Sequence, residues 1–237
     1  MRADAILPSF ESLLRTGADR KIVETLRTLK ELYWEVLDML NEISVTPGQV
    51  IYNANPEAVS VATGRPRSAE VHALGNPQGK EILALEIRRP GPTFRAWDHV
   101  RYPMRPIDVD KTLDALSLRA TRPADFIVSP RPLAGCPGVF RSVQSEWFVV
   151  DHLRPRPEAE VGLPAGIPMH TLHAVRGTVE LRTLDGRTLA SLTRGQSALI
   201  PVTIGSYRLA TADGDAEVVM VTMPSSTVAP TCGGRAP

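Results

Sequence analysis

The sequence predicts a mainly β protein whose strands form a β-sandwich or jelly roll, preceded by an N-terminal amphipathic helix. Its 21 prolines and 17 glycines are scattered through 237 residues, which favours many short strands joined by turns over a helical bundle. The last third repeats short apolar segments of similar length between turn residues, as expected for a jelly roll. Before residue 45, in contrast, apolar side chains recur at helical spacing.

Residues 1–45 form the predicted helical segment. Apolar residues recur there at steps of three and four, which places them on one face of an α-helix about six turns long. Asp19 is a candidate N-cap for this helix. The face consists of Ile22, Val23, Leu26, Leu29, Tyr33, Val36, Leu37 and Leu40. We expect the helix to contribute packing and no catalytic side chain.

After Pro47 the apolar spacing changes to that of strands. The segments QVIYNA, AEVHAL and EILALEIR predict three strands, and TFRAW predicts a fourth. Residues 108–118 return to helical spacing, with Asp108 as a candidate N-cap. We therefore predict a partial first β unit at residues 46–128, which ends with the helix of residues 108–118, and a loop-like linker at residues 129–144.

Residues 145–224 are predicted to form a second β unit, and residues 225–237 a disordered tail. An Asp185-Gly186 pair between two strand-like segments indicates a hairpin. Residues 154–168 are rich in proline and are predicted to connect the first two strands. The seven predicted strands are SEWFVVDHL, MHTLHAV, TVELRTL, RTLASL, SALIPV, SYRLAT and AEVVMVTM.

The composition argues against several classes of function. A net charge of +1 without a long run of one sign predicts neither a nucleic-acid nor a membrane partner. The first ten residues lack the basic-then-apolar order of a secretory signal. Cys136 and Cys232 form neither a CxxC pair nor a disulfide framework, so we expect a reduced, cytoplasmic protein.

Several segments, taken in their order along the chain, resemble the second half of type I mannose-6-phosphate isomerases (phosphomannose isomerases), which are cupins. The resemblance covers residues 20–223 and implies two cupin-like jelly-roll units, of which the second carries no metal. The matching pieces are Pro47-Gly48 with the strand to Tyr52, His72-Ala73, Glu86-Ile87, Phe94-Arg95, Ile107-Asp108-Val109, and the barrel from Ser145 to Met223.

The resemblance also implies roles for four residues of the first unit. His72 would be one ligand of Zn²⁺ or another divalent metal. Glu86 and Arg95 would be the catalytic residues, with Glu86 in the sugar pocket and Arg95 facing the C1–C2 carbons or the phosphate. Arg101 lies where some members carry a phosphate-binding lysine, and it would bind the substrate.

These residue types suit the isomerisation of mannose 6-phosphate to fructose 6-phosphate, which moves a proton between C1 and C2 through an enediol. A divalent ion can polarise the two oxygens, and a fixed cation can stabilise the enediolate. A carboxylate can take up the carbon-bound proton. An arginine can bind the phosphate through two parallel hydrogen bonds.

The sequence departs from the family where the remaining metal ligands are expected. Those ligands, a Gln and a His close together and then a Glu, lie upstream in the family, yet no histidine precedes His72 here. A catalytic zinc site typically has three protein ligands. The metal site is therefore incomplete in this sequence, which suggests a truncated or split segment. Its expected partners are a sugar phosphate and either an upstream-half chain or a second copy in a homodimer.

Two other hypotheses remain open. A non-catalytic cupin would have lost the metal site and would bind a sugar or another protein. An iron oxygenase would use His170 and His173, although a three-residue offset on a strand sends two side chains to opposite faces.

Each candidate also has a purely structural alternative. His72 would bond to backbone, Glu86 would face solvent, and Arg95 would stack on Trp97. We expect His99 and His152 on the surface, and we reject an Asp151-His152 dyad because neighbours on a strand face apart.

Overall fold

A computed structural model describes residues 20–53, 72, 74, 82–88, 94–95, 105–115 and 120–224. The predicted cap Asp19, the substrate ligand Arg101, His99, and most of the predicted strands AEVHAL and TFRAW lie outside these residues, as does the tail at residues 225–237. The chain divides into two compact units, of which the first comprises Met1–Thr46 and Asn53–Phe126 and the second Pro47–Tyr52 and Ile127–Pro237.

The described part of the first unit contains two α-helices, α1 (Arg20–Asp38) and α2 (Val109–Ala115), at two of the positions predicted to be helical. On the predicted apolar face of α1, Val23 is buried, whereas Ile22 and Leu29 are each 56% exposed. Among the described helices, none combines the length and the apolar character needed to cross a bilayer.

The second unit is built of antiparallel strands. The described strands are β1 (Val50–Ile51), β2 (Ile127–Val128), β3 (Arg131–Pro132), β4 (Val139–Gln144), β5 (Val149–Leu153), β6 (Val161–Leu163), β7 (His170–Arg176), β8 (Thr178–Thr183), β9 (Thr188–Thr193), β10 (Ser197–Ile200), β11 (Tyr207–Ala210) and β12 (Glu217–Thr222). Within the described residues one sheet has the order β10-β7-β12-β5-β4-β3, a second has the order β6-β11-β8-β9, and β1 pairs with β2 alone.

The pairing of the last eight strands is nested. β5 pairs with β12, β6 with β11, β7 with β10, and β8 with β9. When four nested strand pairs are distributed over two sheets in this way, the fold is a jelly roll. The protein is therefore mainly β, with a jelly roll of antiparallel strands and a helix near its N-terminus, as the sequence predicts.

The core of the second unit lies between the two sheets of the jelly roll. Leu153, Leu172, Val218 and Leu209 are completely buried there, one each from β5, β7, β12 and β11. Because side chains alternate between the two faces of a strand, the strand residues adjacent to each of these four point to the outer face. The jelly roll thus has a filled apolar interior and a partly polar outer surface.

The turns of the second unit explain much of its glycine content. The predicted hairpin joins β8 to β9, and Gly186 adopts a φ of +89° there, which a residue with a Cβ rarely adopts. Gly177, between β7 and β8, has a φ of +66°, and a Cβ added to it would lie 3.1 Å from the Cα of Ala216. This close approach requires glycine at residue 177.

Three predictions of secondary structure are wrong. Residues 129–144 were expected to be a loop, but β3 and β4 lie within them and extend one sheet. The prediction missed β6, which is only three residues long and lies among prolines. No strand forms at residues 82–88, where Ile82, Leu83 and Leu85 are exposed; an alternating apolar segment becomes a strand only when a sheet covers its apolar face.

We expect Leu172→Ala to lower the free energy of unfolding by about 2–5 kcal/mol, because it removes buried methyl groups and leaves a cavity between the sheets. Leu199→Ala is the matched control on the paired strand β10, where the side chain is 63% exposed, and it should change stability by less than about 0.5 kcal/mol. Chemical denaturation of both variants measures the difference. Equal losses would contradict the described core.

Candidate functional site

His72, the predicted metal ligand, lies next to Asn53 within the first unit. The Asn53 amide donates a hydrogen bond to Nδ1 of His72 over 2.6 Å, so the second imidazole nitrogen, Nε2, carries the proton in the neutral ring. The His72 side chain is exposed. The hydrogen bond joins the segment after the Pro47-Gly48 turn to the His72-Ala73 segment.

Arg95, a predicted catalytic residue, lies beside the start of α2. Its backbone carbonyl accepts a hydrogen bond of 2.9 Å from the amide of Asp108. Asp108 caps the helix as predicted, because its Oδ1 accepts a hydrogen bond from the Lys111 amide. Lys111 also pairs with Asp108 at 2.7 Å, and these two hydrogen bonds lower the pKa of the Asp108 carboxyl. The half-buried Arg95 is therefore held at a capped helix end.

Glu86, the other predicted catalytic residue, has an exposed side chain in the irregular segment of residues 82–88. Within the described residues, no hydrogen bond or ion pair joins His72, Glu86 and Arg95 to one another. No group of three or more His, Cys, Asp or Glu side chains could hold a metal ion in the same part of the chain. The described residues therefore do not fit a complete zinc site on their own, and the three candidates stay predictions.

His170 and His173, the pair required by the iron oxygenase hypothesis, have different surroundings. Nδ1 of His170 donates to the carbonyl of Pro168, and its Nε2 accepts from the hydroxyl of Tyr207, both at 2.7 Å. His173 contacts the hydroxyls of Ser197 and Thr171 instead. Burial lowers the pKa of both imidazoles, and it raises the pKa of the Tyr207 hydroxyl. The two rings do not form a common metal site.

A buried ionic cluster lies on the outer face of the larger jelly-roll sheet. His152 is only 5% exposed, so its expected position on the surface is wrong; β4 and β12 flank β5 in the sheet, and the ring contacts one side chain from each, Ser142 and Glu217. Its Nδ1 lies 2.8 Å from Oε1 of Glu217. Oε2 of the same carboxylate accepts a hydrogen bond of 2.8 Å from Arg176 and lies 3.4 Å from Nε of Arg154.

The surroundings of Glu217 keep its carboxylate ionised. Burial alone would raise the pKa of this carboxyl, but the hydrogen bond with His152 and the charges of Arg154 and Arg176 outweigh burial and hold the pKa below its ordinary value. Sequence analysis missed this cluster because its members lie far apart along the chain. The strand pairing of β5, β7 and β12 brings them together.

An open cavity of about 660 Å³ lies at the β3–β4 edge of the same sheet. Arg141 lines it but is paired with the buried Asp151, with Nε to Oδ1 at 2.8 Å and Nη2 to Oδ2 at 3.0 Å. Arg131, opposite Arg141 in the strand register, is exposed and offers a cation to the cavity. The full lining is Ile127, Val128, Ser129, Arg131, Pro132, Leu133, Arg141, Ser142 and Gln144.

Comparison with known proteins identifies likenesses in structure only. No model of a protein family matches the sequence, and no curated protein matches it. A Salmonella typhimurium mannose 6-phosphate isomerase, bound to fructose 6-phosphate and zinc, is similar to 52% of this chain at 14% identity and a TM-score of 0.41. This chain covers 29% of that protein's length.

A second similar structure is an uncharacterised Klebsiella pneumoniae protein with a double-stranded β-helix domain. It matches 42% of this chain at 19% identity and a TM-score of 0.35, over 86% of its own length. These two solved structures are thus a mannose 6-phosphate isomerase and a protein with a double-stranded β-helix domain, and both resemble this chain at low identity and partial coverage.

We expect Glu217→Gln to lower stability at neutral pH by about 1–3 kcal/mol, since the buried His152 and the partly exposed Arg154 and Arg176 lose their charged partner. The folded pKa of Glu217 is depressed, so its contribution is present above the ordinary glutamate pKa of about 4.3 and is lost as pH falls through the lower folded value. The variant should therefore show a shallower loss of stability on acidification, measured by denaturation between neutral pH and pH about 3.

Glu180→Gln is the control for this experiment. Glu180 pairs with Arg182 at 2.6 Å, but both side chains are more than one third exposed, so its loss should change stability by less than about 1 kcal/mol at neutral pH. A Glu217→Gln variant as stable as the wild type would contradict the importance of the buried cluster.

Proposed function

We propose that this chain supplies the C-terminal part of a sugar-phosphate isomerase of the phosphomannose type, acting on mannose 6-phosphate and fructose 6-phosphate. The observation that carries the proposal is a pair of hydrogen bonds between segments of the sequence resemblance. Asn53 contacts His72 at 2.6 Å, and the Asp108 amide contacts the Arg95 carbonyl at 2.9 Å. Each hydrogen bond joins two segments of the resemblance that are separate in sequence, and this supports the proposal without linking His72 to Arg95.

In this proposal Arg95 supplies the fixed positive charge beside the reacting carbons. The backbone of Arg95 is fixed to the start of α2 through its carbonyl, and in this proposal its guanidinium stabilises the negative charge of the enediolate, as fixed charges in a site lower a barrier. Glu86 acts as the base that moves the proton between C1 and C2. Arg101 binds the phosphate, for which a guanidinium offers two parallel donors.

The proposal assigns to this chain one metal ligand, His72. The described residues do not complete a zinc site, and a catalytic zinc typically needs three protein ligands. We therefore assign the other ligands to an upstream-half partner chain, so that the active enzyme is an assembly. The chain spans 29% of the length of the Salmonella isomerase to which it is similar, which is compatible with such a division.

The test is isomerisation of mannose 6-phosphate by the full chain with Zn²⁺, alone and with the N-terminal half of a phosphomannose isomerase. We expect turnover to require both proteins. Arg95→Ala should lower kcat at least about 100-fold, since one preorganised charge is lost. His72→Ala should remove the metal-dependent part of the activity. A coupled assay of fructose 6-phosphate formation measures all three results.

Arg88→Ala is the matched control, because Arg88 is an exposed arginine in the segment that follows Glu86. It should leave kcat within about twofold of the wild type, as surface changes away from the site usually do. If the combined proteins are inactive with Zn²⁺, or if Arg95→Ala retains full activity, the isomerase proposal fails.

A second candidate is a non-catalytic cupin that binds a phosphorylated sugar, and the cavity at the β3–β4 edge favours it. Arg131 presents an exposed guanidinium there, while Gln144 and Ser142 offer polar groups to sugar hydroxyls. Calorimetry should then show mannose 6-phosphate binding without turnover, and Arg131→Ala should weaken it about tenfold, the equivalent of one charged contact. Binding unaffected by Arg131→Ala would exclude this cavity as the site.

A further inference from the structure

Ser142, His152 and Glu217 form a continuous hydrogen-bonded series in the jelly roll. Nε2 of His152 lies 3.1 Å from Oγ of Ser142, and Nδ1 lies 2.8 Å from Oε1 of Glu217. These distances are within the range for a nucleophile, a base and a group that orients the base. The three residues come from three adjacent strands, β4, β5 and β12, so the sheet itself sets their spacing.

The carboxylate fixes which nitrogen of His152 carries the proton. An ionised Glu217 only accepts hydrogen bonds, so Nδ1 of His152 must donate to it, and in the neutral ring Nε2 then holds a lone pair. This lone pair faces the hydroxyl of Ser142, which can donate its proton to the ring. The Ser142 hydroxyl also lies 3.3 Å from the carbonyl of Val150, a second acceptor at a longer distance.

Ser142 is also placed where a substrate can reach it. The strand register of β4 against β5 shifts between Arg141 and Val143, so Ser142 is the extra residue of a β-bulge, a feature that redirects a side chain. The residue lines the cavity of about 660 Å³ at the edge of the sheet. The base and the carboxylate are buried behind it, away from solvent.

From this arrangement we propose a second activity, independent of the isomerase: Ser142 is a nucleophile that hydrolyses small carboxylic esters bound in the cavity. Ile127, Pro132 and Leu133 give the cavity an apolar wall for a short acyl group. Arg131, which also lines the cavity, supplies a positive charge for the oxyanion of the tetrahedral intermediate.

The reaction balances without a further reagent. The oxygen of Ser142 bonds to the ester carbonyl carbon while its proton moves to Nε2 of His152. Collapse of the intermediate breaks the bond to the alcohol oxygen, and the alcohol leaves with that proton. Water then attacks the acyl-serine, gives a proton to His152 and releases the acid, and the proton returns to Ser142.

The first experiment is labelling of the full-length chain with a fluorophosphonate, followed by peptide mapping. We expect one modification, on Ser142. Glu217→Gln should slow labelling at least tenfold, because the imidazole loses the group that sets its tautomer. Mapping of the wild-type protein needs no variant, so the assignment stays testable if a variant does not fold. An unmodified Ser142 at excess reagent, or a label on another serine, overturns the proposal.

The second experiment is hydrolysis of p-nitrophenyl acetate by Ser142→Ala and by a matched control, Ser197→Ala. Ser197 lies 2.7 Å from His173, but that histidine's other nitrogen faces the hydroxyl of Thr171 and no carboxylate. We expect Ser142→Ala to lose more than 90% of the hydrolysis and Ser197→Ala to keep it, with unchanged circular dichroism in both. Equal activity of the two variants overturns the proposal. The ester assay contains neither Zn²⁺ nor a sugar phosphate, so its result is independent of the isomerase test.

Discussion

The constraint on which the second unit depends is the pairing of β12 with both β5 and β7. β12 lies between these strands, with Val218 opposite Leu153 on one side and Ala174 on the other. β12 is the last described strand, and it pairs with β5, the first strand of the jelly roll. The larger sheet is complete only when β12 lies between β5 and β7, and this is the closure by β12. Which side chains of β5, β7 and β12 face the apolar interior, and which face outward, follows from this closure.

The same closure creates the polar arrangement on the outer face. Glu217 begins β12, and the register sets its carboxylate beside His152 of β5 and Arg176 of β7. Removing charges from water is costly unless they are paired, so the cluster is stable only while the three strands remain in register. A one-residue slip would reverse every side chain of β12, burying Glu217 in the apolar core and exposing Val218.

Much of the second unit could be predicted from sequence because its strands alternate and its turns carry glycine. The hairpin at Asp185-Gly186 and the cap at Asp108 depend on contacts within a few residues, which a sequence pattern records directly. In contrast, β6 and the strands at residues 131–144 were missed. β6 forms because β11, which is far away in the sequence, pairs with it. The partners of β3 and β4 lie close by along the chain, but prolines and glycines in this segment mask the strand pattern.

Candidate site residues could be predicted only where the order of residue types along the chain resembled that of a known family. His72, Glu86 and Arg95 were proposed from their order along the chain, which says little about the contacts of each side chain. The cluster of Ser142, His152 and Glu217 had no sequence pattern, since 75 residues separate its ends and each residue type is common. Only the strand register identifies it, and neighbouring positions such as Asp151 and His152 proved to face different partners.

Amide hydrogen exchange tests the dependence on β12 most directly. If the closure by β12 holds the second unit together, the amides of β12 that pair with β5 and β7 should exchange only through global unfolding. Their exchange free energies should then equal that of unfolding, and those of the core-facing part of β5 should match them. Exchange of β12 as fast as that of the edge strand β9, while β5 stays protected, would contradict this account.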